Sequence, residues 1–260
     1  MSAEGWEGWD AYAPFYDWEN SQTMGRRDVP FWQGLARRVG KPVLELGCGT
    51  GRLAIPVGRV AEGLVGIDRS PPMLARARQR VRRSRLAGRV SLVRGDIRHL
   101  PFPRPSSFGL VMAPYGMLQS LLKEADLKAT LAAVAAILRP GAVFGVDLVA
   151  DLPSWKEYRR EQRLSGWRLG GKAHVTLIES VRQDRERGLT IFEQEYVERR
   201  GRVKESRRFD LAFRTVTVPQ MARRLETAGF RVTAVLGDYD GGPWDPRAET
   251  WLILAERKDE

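Results

Sequence analysis

The sequence predicts an α/β fold: a Rossmann-like, doubly wound sheet of seven strands, the last antiparallel, carrying a small antiparallel β insert. Three observations carry this prediction. Short apolar runs at 43–46, 64–68 and 90–94 each lead through a turn into a helix-compatible stretch, the alternation that builds parallel sheets. The first run breaks into Gly47-Cys48-Gly49-Thr50-Gly51. Such a strand-to-helix turn opens backbone N–H groups at a helix start, and glycine lets a ligand lie on the backbone. After Asp147 the alternation stops and strand-like pieces succeed one another at hairpin spacing.

In chain order, the second run, Leu64-Val65-Gly66-Ile67-Asp68, ends in an acid, and Arg69-Ser70-Pro71-Pro72 then opens a helix, as proline in a first turn does. On that helix Met73, Ala77 and Val81 share a face. The third run leads into Gly95-Asp96-Ile97. The fourth, 108–112, ends in Ala113-Pro114-Tyr115-Gly116, and Leu138-Arg139-Pro140-Gly141 stops a helix before the fifth, 142–148. Strands are then expected near 163–168, 174–183, 189–198 and 205–217. A helix over 219–228 and strands over 232–236 and 250–256 close the sheet. This divides the chain into an N-terminal helical cap (1–40), a core (41–150 and 217–260) and an antiparallel insert (151–216). The cap is rich in aromatics, Trp6 and Trp9 among them.

Glu45, Asp68 and Asp96 stand at the ends of three successive strands. Ligands of open parallel sheets bind outside those carboxyl ends, and an acid at the tip of the second strand can accept ribose hydroxyls. A dinucleotide fingerprint needs glycine where Arg52 stands, and a P-loop needs a lysine that does not follow Gly51.

The stretch Glu45-Leu46-Gly47-Cys48-Gly49-Thr50-Gly51 resembles motif I of class I S-adenosylmethionine-dependent methyltransferases. The resemblance implies S-adenosyl-L-methionine as cofactor and S-adenosyl-L-homocysteine as product. Gly47, Cys48, Gly49 and Gly51 then lie under the methionine part, and Glu45 binds its ammonium directly or through water. Asp68 and Arg69 reach the ribose side. Asp96 meets the adenine amino group, and the N–H of Ile97 meets a ring nitrogen. Met73 matches the residue that packs on the adenine, although its spacing fits core packing equally well. Tyr12-Ala13-Pro14-Phe15-Tyr16-Asp17 resembles a Y-A-x-x-Y-D stretch that closes over the cofactor, which places Tyr12 at the cofactor and Tyr16 near the acceptor. The turn from Ala113 to Gln119 is similar to the motif IV region of bacterial small-molecule enzymes, including sugar-amine N-methyltransferases. Ala113 then borders the cofactor, and Tyr115 and Gln119 line the acceptor pocket.

The same resemblance implies methyl transfer to a small-molecule N or O acceptor, with C third. The proton of such an acceptor has Tyr16, Tyr115, His174 and water as candidate receivers. A net charge of +11 and the seven arginines from Arg76 to Arg89 raise an alternative, an RNA methyltransferase tracking phosphates. A solvated helix in a chain with 36 Arg against 7 Lys is the favoured reading. A non-catalytic S-adenosylmethionine-binding module is a further alternative. One cysteine and two histidines give no metal constellation, so no metal is expected. No apolar run of about 18 residues is present and no secretory pattern opens the chain. A cytoplasmic monomer or homodimer is the expectation.

Overall fold

The computed structural model describes residues 8–23, 25–150, 156–168 and 171–259; Trp6 lies outside them. Two helices come first, α1 (Trp9–Gln22) and α2 (Val29–Val39). The first half of the core is β1 (Val43–Leu46), α3 (Ala54–Gly58), β2 (Leu64–Asp68), α4 (Pro71–Arg83) and β3 (Val90–Arg94). The second half is β4 (Leu110–Ala113), a 3-10 turn over Met117–Ser120, α5 (Glu124–Ile137) and β5 (Val143–Val149). Next come four long strands: β6 (Tyr158–Arg168), β7 (Ala173–Asp184), β8 (Leu189–Arg200) and β9 (Val203–Arg214). The chain closes with α6 (Val218–Thr227), β10 (Phe230–Leu236) and β11 (Thr250–Arg257).

The large sheet has the order β10-β11-β5-β4-β1-β2-β3, and β11 runs antiparallel to both of its neighbours. The separate sheet has the order β6-β7-β8-β9, antiparallel throughout, with β6 and β9 as its outer strands. The predicted fold class stands. The topological switch lies at β1, which pairs in parallel with β2 on one side and β4 on the other. Connections to the two sides leave a crevice there at the carboxyl ends.

Alternation along the strands feeds two cores. Leu44 and Leu46 face α5 and α6, packing with Leu131, Val134, Met221 and Leu225. Val43 points the other way, into a cluster with Trp32 and Leu35 of α2, Val57 of α3 and Val81 of α4. A third cluster joins α1 to the four-stranded sheet through Tyr12, Phe15, Trp18, Leu177, Tyr196 and Phe209. So α2 packs on the large sheet, whereas α1 lies against the smaller one.

Two boundaries differ most from expectation. β6 begins at Tyr158 because register shifts at 158/161 and 162/164 interrupt its alternation, leaving no period-2 pattern to read. β9 ends at Arg214 because Thr217 is already the N-cap of α6, joined to Gln220 in a reciprocal capping box.

Candidate active site

A cavity of about 710 Å³ opens over the carboxyl ends of β1, β2 and β4 and runs beneath the four-stranded sheet. Its size is that of a small-molecule pocket. The floor is the glycine loop after β1. Gly47 has φ +62°, and a Cβ there would meet the Met117 side chain at 2.5 Å, so only glycine fits. Gly49 donates its N–H to Asp68 Oδ2 at 2.8 Å. The other oxygen of Asp68 accepts from the Ser70 N–H, also at 2.8 Å. Burial raises the pKa of Asp68, opposed by these backbone hydrogen bonds.

Glu45 lines the cavity with 3 % exposure. Its Oε2 has no hydrogen-bond partner. Burial, only partly offset by Arg52, lifts its carboxyl from 4.5 to about 8. An unpartnered carboxylate at the end of a parallel strand is costly unless a cation or donor arrives to satisfy it. Arg52 does not take that place, because its guanidinium forks onto Asp28 at 2.8 and 2.6 Å. Asp96 is held below the usual carboxylate range by hydrogen bonds from Arg98, whose Nη2 lies 2.7 Å from Asp96 Oδ2. Arg69 stands 3.8 Å from the same oxygen.

Of the residues singled out from sequence, Tyr12, Tyr16, Glu45, Gly47, Cys48, Gly49, Asp68, Arg69, Met73, Asp96, Ile97 and Tyr115 all line this one cavity. Tyr115 adopts φ +53°, sparsely populated for a non-glycine residue. The Arg52 guanidinium lies 5.8 Å from its ring centroid. Cys48 is buried, and burial pushes its thiol up, so it fills a tight turn and is not poised as a nucleophile.

Four of the expected residues do not line this cavity. His174 lies on β7 with the opposite parity to the cavity residues Leu177 and Glu179, and alternation turns it to the other face. There it packs edge-on to Trp167, which is 66 % exposed. Gln119 is buried and does not line the cavity. It braces the end of β5 by donating to the Val149 carbonyl at 3.3 Å and accepting its N–H at 2.7 Å. Gly51 faces α4, where a Cβ would stand 3.5 Å from that of Ala77; it serves helix packing. Ala113 is fully buried in the sheet, and the cavity wall begins at Pro114.

The cavity also holds residues that no sequence motif marks. Glu19 and Asn20 lie on α1 on the stripe that carries Trp9, Tyr12 and Tyr16, and continuing the 3–4 spacing past Tyr16 finds them. Across from them, Tyr158, Glu179, Gln194, Phe192 and Phe213 come from the smaller sheet. Their lining role depends on strand register, which the sequence does not fix. Among the described residues no cluster that could hold a metal is present, and no helix is long and apolar enough to cross a membrane. The arginine-rich face of α4 is partly engaged within the fold: Arg80 pairs with Asp17 at 2.8 Å and reaches Thr50.

Comparison with known proteins agrees with this geometry. Residues 43–141 match the family model described as a methyltransferase domain. The cypemycin N-terminal methyltransferase of Streptomyces sp is 26 % identical over 244 residues, covering 94 % of each chain. Among solved structures, an S-adenosylmethionine-dependent methyltransferase from Clostridium acetobutylicum ATCC 824 superposes with a TM-score of 0.77 at 17 % identity, covering 96 % of this chain and all of the other. An amino pentose methyltransferase from Micromonospora echinaspora, solved with S-adenosylmethionine bound, gives 0.67 at 20 % identity, covering 94 % and 97 %. These proteins do not favour an RNA-modifying or a non-catalytic reading. An unsatisfied carboxylate beside a glycine loop suits the ammonium of a methionyl group, and the acid after β2 suits a ribose. Residues 43–141 are thus a methyltransferase domain, and with the homologue that spans the chain they make the protein an S-adenosylmethionine-dependent methyltransferase.

Proposed function

We propose that the protein methylates a small-molecule acceptor at N or O, held between α1 and the four-stranded sheet of the 151–216 insert. The observation that carries this is the continuity of one cavity from Glu45, Gly47 and Asp68 to Phe192 and Phe213 of the insert. Donor and acceptor thereby share an enclosed space. The relatives point the same way, since one is named for the N-terminus of cypemycin and another for an amino pentose.

In this reading Glu45 takes the cofactor's ammonium, Gly47, Cys48 and Gly49 underlie its methionine part, and Asp68 and Arg69 take the ribose side. Met73, Asp96 and the Ile97 N–H border the adenine. S-adenosylmethionine supplies an activated methyl group with its own leaving group. The chain's residues then need to align the acceptor and exclude water. Burial raises the Tyr16 hydroxyl to about 12 and pushes that of Tyr115 up as well. Both stay protonated near neutrality, so they orient the acceptor and leave its proton to water or a carboxylate.

S-adenosylhomocysteine at about 100 times its Kd should stabilise the protein by about 2.7 kcal/mol, seen as a raised melting temperature. Gly49→Arg, which places a bulky side chain at φ +53°, should abolish the shift. Asp68→Asn should reduce it. A protein that melts unchanged in saturating S-adenosylhomocysteine is not described by this proposal.

A further inference from the structure

The insert end of the cavity is rich in hydrogen-bond acceptors, and the donors of Tyr12, Tyr196, Gln194 and Tyr158 are already used. One face of α1 carries Trp9, Tyr12, Tyr16, Glu19 and Asn20 into the cavity. The Tyr12 hydroxyl donates to Glu19 Oε2 at 2.5 Å, and the Tyr196 hydroxyl donates to the same oxygen. Gln194 Nε2 spans the two acids, donating to Glu19 Oε1 at 3.3 Å and to Glu179 Oε2 at 2.8 Å. The Tyr158 hydroxyl is spent on Glu179 as well. Asn20 Nδ2 donates to the Tyr16 carbonyl at 2.8 Å. A carbonyl can only accept, so this bond fixes the amide orientation and turns Oδ1 the other way. Asn20 is 5 % exposed, and its Oδ1 has no partner.

Charge balance is equally one-sided. Arg163 lies 3.8 Å from Glu179 and 3.4 Å from Glu161. Among the described residues no cation forms an ion pair with Glu19. A buried carboxylate without a counter-ion, next to a buried acceptor without a donor, is unfavourable until a cationic donor fills the gap. A hydroxyl satisfies Asn20 but leaves the charge of Glu19 unmatched. An anion meets repulsion. Around the gap, Trp9, Tyr12 and Tyr16 pack edge-on with ring centroids 5.6, 6.4 and 5.8 Å apart, and aromatic walls favour a cation over a neutral group.

We propose that the acceptor enters as a protonated amine whose ammonium is held by Glu19 and Asn20 Oδ1 and gives one proton to the Glu19 carboxylate or to water, which frees the nitrogen lone pair for the methyl group, with Glu179 reinforcing the field through Gln194 and the carbon body lying on Phe192 and Phe213. This rests on the small-molecule reading of the cavity and deepens it. It makes Glu19 and Asn20 the residues that choose an amine over an alcohol.

The test is calorimetric binding of phenethylamine, 2-phenylethanol and 3-phenylpropanoate to the full-length protein saturated with S-adenosylhomocysteine. The three probes share a body and differ in charge. The amine should bind about tenfold or more tightly than the alcohol, with the carboxylate weakest. Glu179→Gln should narrow the amine preference and Glu19→Gln should remove it. Because Glu19 also ties Tyr12 to Tyr196, Asn20→Leu serves as a second variant that keeps that junction and should weaken the amine by a similar factor. Equal binding of the three probes, an amine preference that persists in both Glu19→Gln and Asn20→Leu, or no amine binding at millimolar concentration overturns the assignment. Binding of S-adenosylhomocysteine is read first and separately: its failure removes the methyl-donor reading, whereas its success with no amine preference removes only this proposal.

Discussion

Glu45 is where the chemistry of the site is most sharply expressed in one side chain. Its carboxyl holds a proton in the folded protein up to about pH 8, while in the unfolded chain it releases it near 4.5. Between those values the native state binds more protons, so stability falls as pH rises. Its contribution is complete below the ordinary carboxyl range and is lost on passing about 8. Asp147, raised by burial to about 7, adds a change of the same sign. Without ligand, the wild-type melting temperature should fall from pH 5 to 8 by about 3 °C or more beyond that of Glu45→Gln. With S-adenosylhomocysteine bound, the cofactor's ammonium favours the ionised carboxylate and should flatten the curve. Scanning calorimetry in the two states decides it, and identical slopes in wild type and variant would refute the role given to Glu45. The acid itself is legible in the sequence, since it ends a strand before a glycine loop. Its lack of a partner is not, because Arg52 is diverted to Asp28 by a tertiary contact that no local pattern announces.

At the scale of elements, regular periodicity makes the core legible. The strands β1, β2 and β3 are bounded in the sequence by their apolar runs, and the end of α6 by the turn after it, whereas its N-cap Thr217 is expected in the preceding strand and is identified only by the structure. Thr217 accepts from the Gln220 N–H at 3.3 Å, and Gln220 Oε1 accepts the Thr217 N–H at 3.0 Å. Thr217→Ala should cost about 1 kcal/mol, read as a lower urea midpoint at unchanged m. Binding of S-adenosylhomocysteine should be untouched, because α6 contributes nothing to the cavity wall; a weakened affinity would show that the cap acts beyond its helix. The insert is readable as four hairpin-linked strands but not in its facing. His174 illustrates why: a chemistry-bearing residue on a strand has even odds of pointing away, and only the pairing of β7 with β8 decides.

Across the whole molecule, three separate pieces meet at Asp17. Its Oδ1 accepts from Thr50 Oγ1 at 2.6 Å and from Arg80 Nη1 at 2.8 Å, joining α1 to the glycine loop and to α4. Asp17→Ala should loosen α1 from the core. Faster amide exchange over residues 9–22 and S-adenosylhomocysteine binding weaker by about threefold to tenfold are expected. Exchange in α1 that matches the wild type would remove this junction from the account. The resemblance of the Tyr12–Asp17 stretch implies closure over the cofactor, but no sequence pattern pairs residues this far apart, so the contacts that hold α1 there are visible only in the tertiary structure.

The four-stranded sheet is open along β6 and β9, and unpaired backbone on an outer strand invites another chain to add to it. Arg159, Arg160 and Arg163 stud the first of these strands, and Lys204, Arg207 and Arg208 the second. Acids stand among them, and Arg160, Arg163, Arg207 and Arg208 pair with Glu195, Glu161, Glu179 and Glu205, so both edges are dense in charge. Charged side chains along an outer strand oppose the addition of another chain, so part of the basic excess that invites a nucleic-acid reading is spent within the small sheet, on its outer strands.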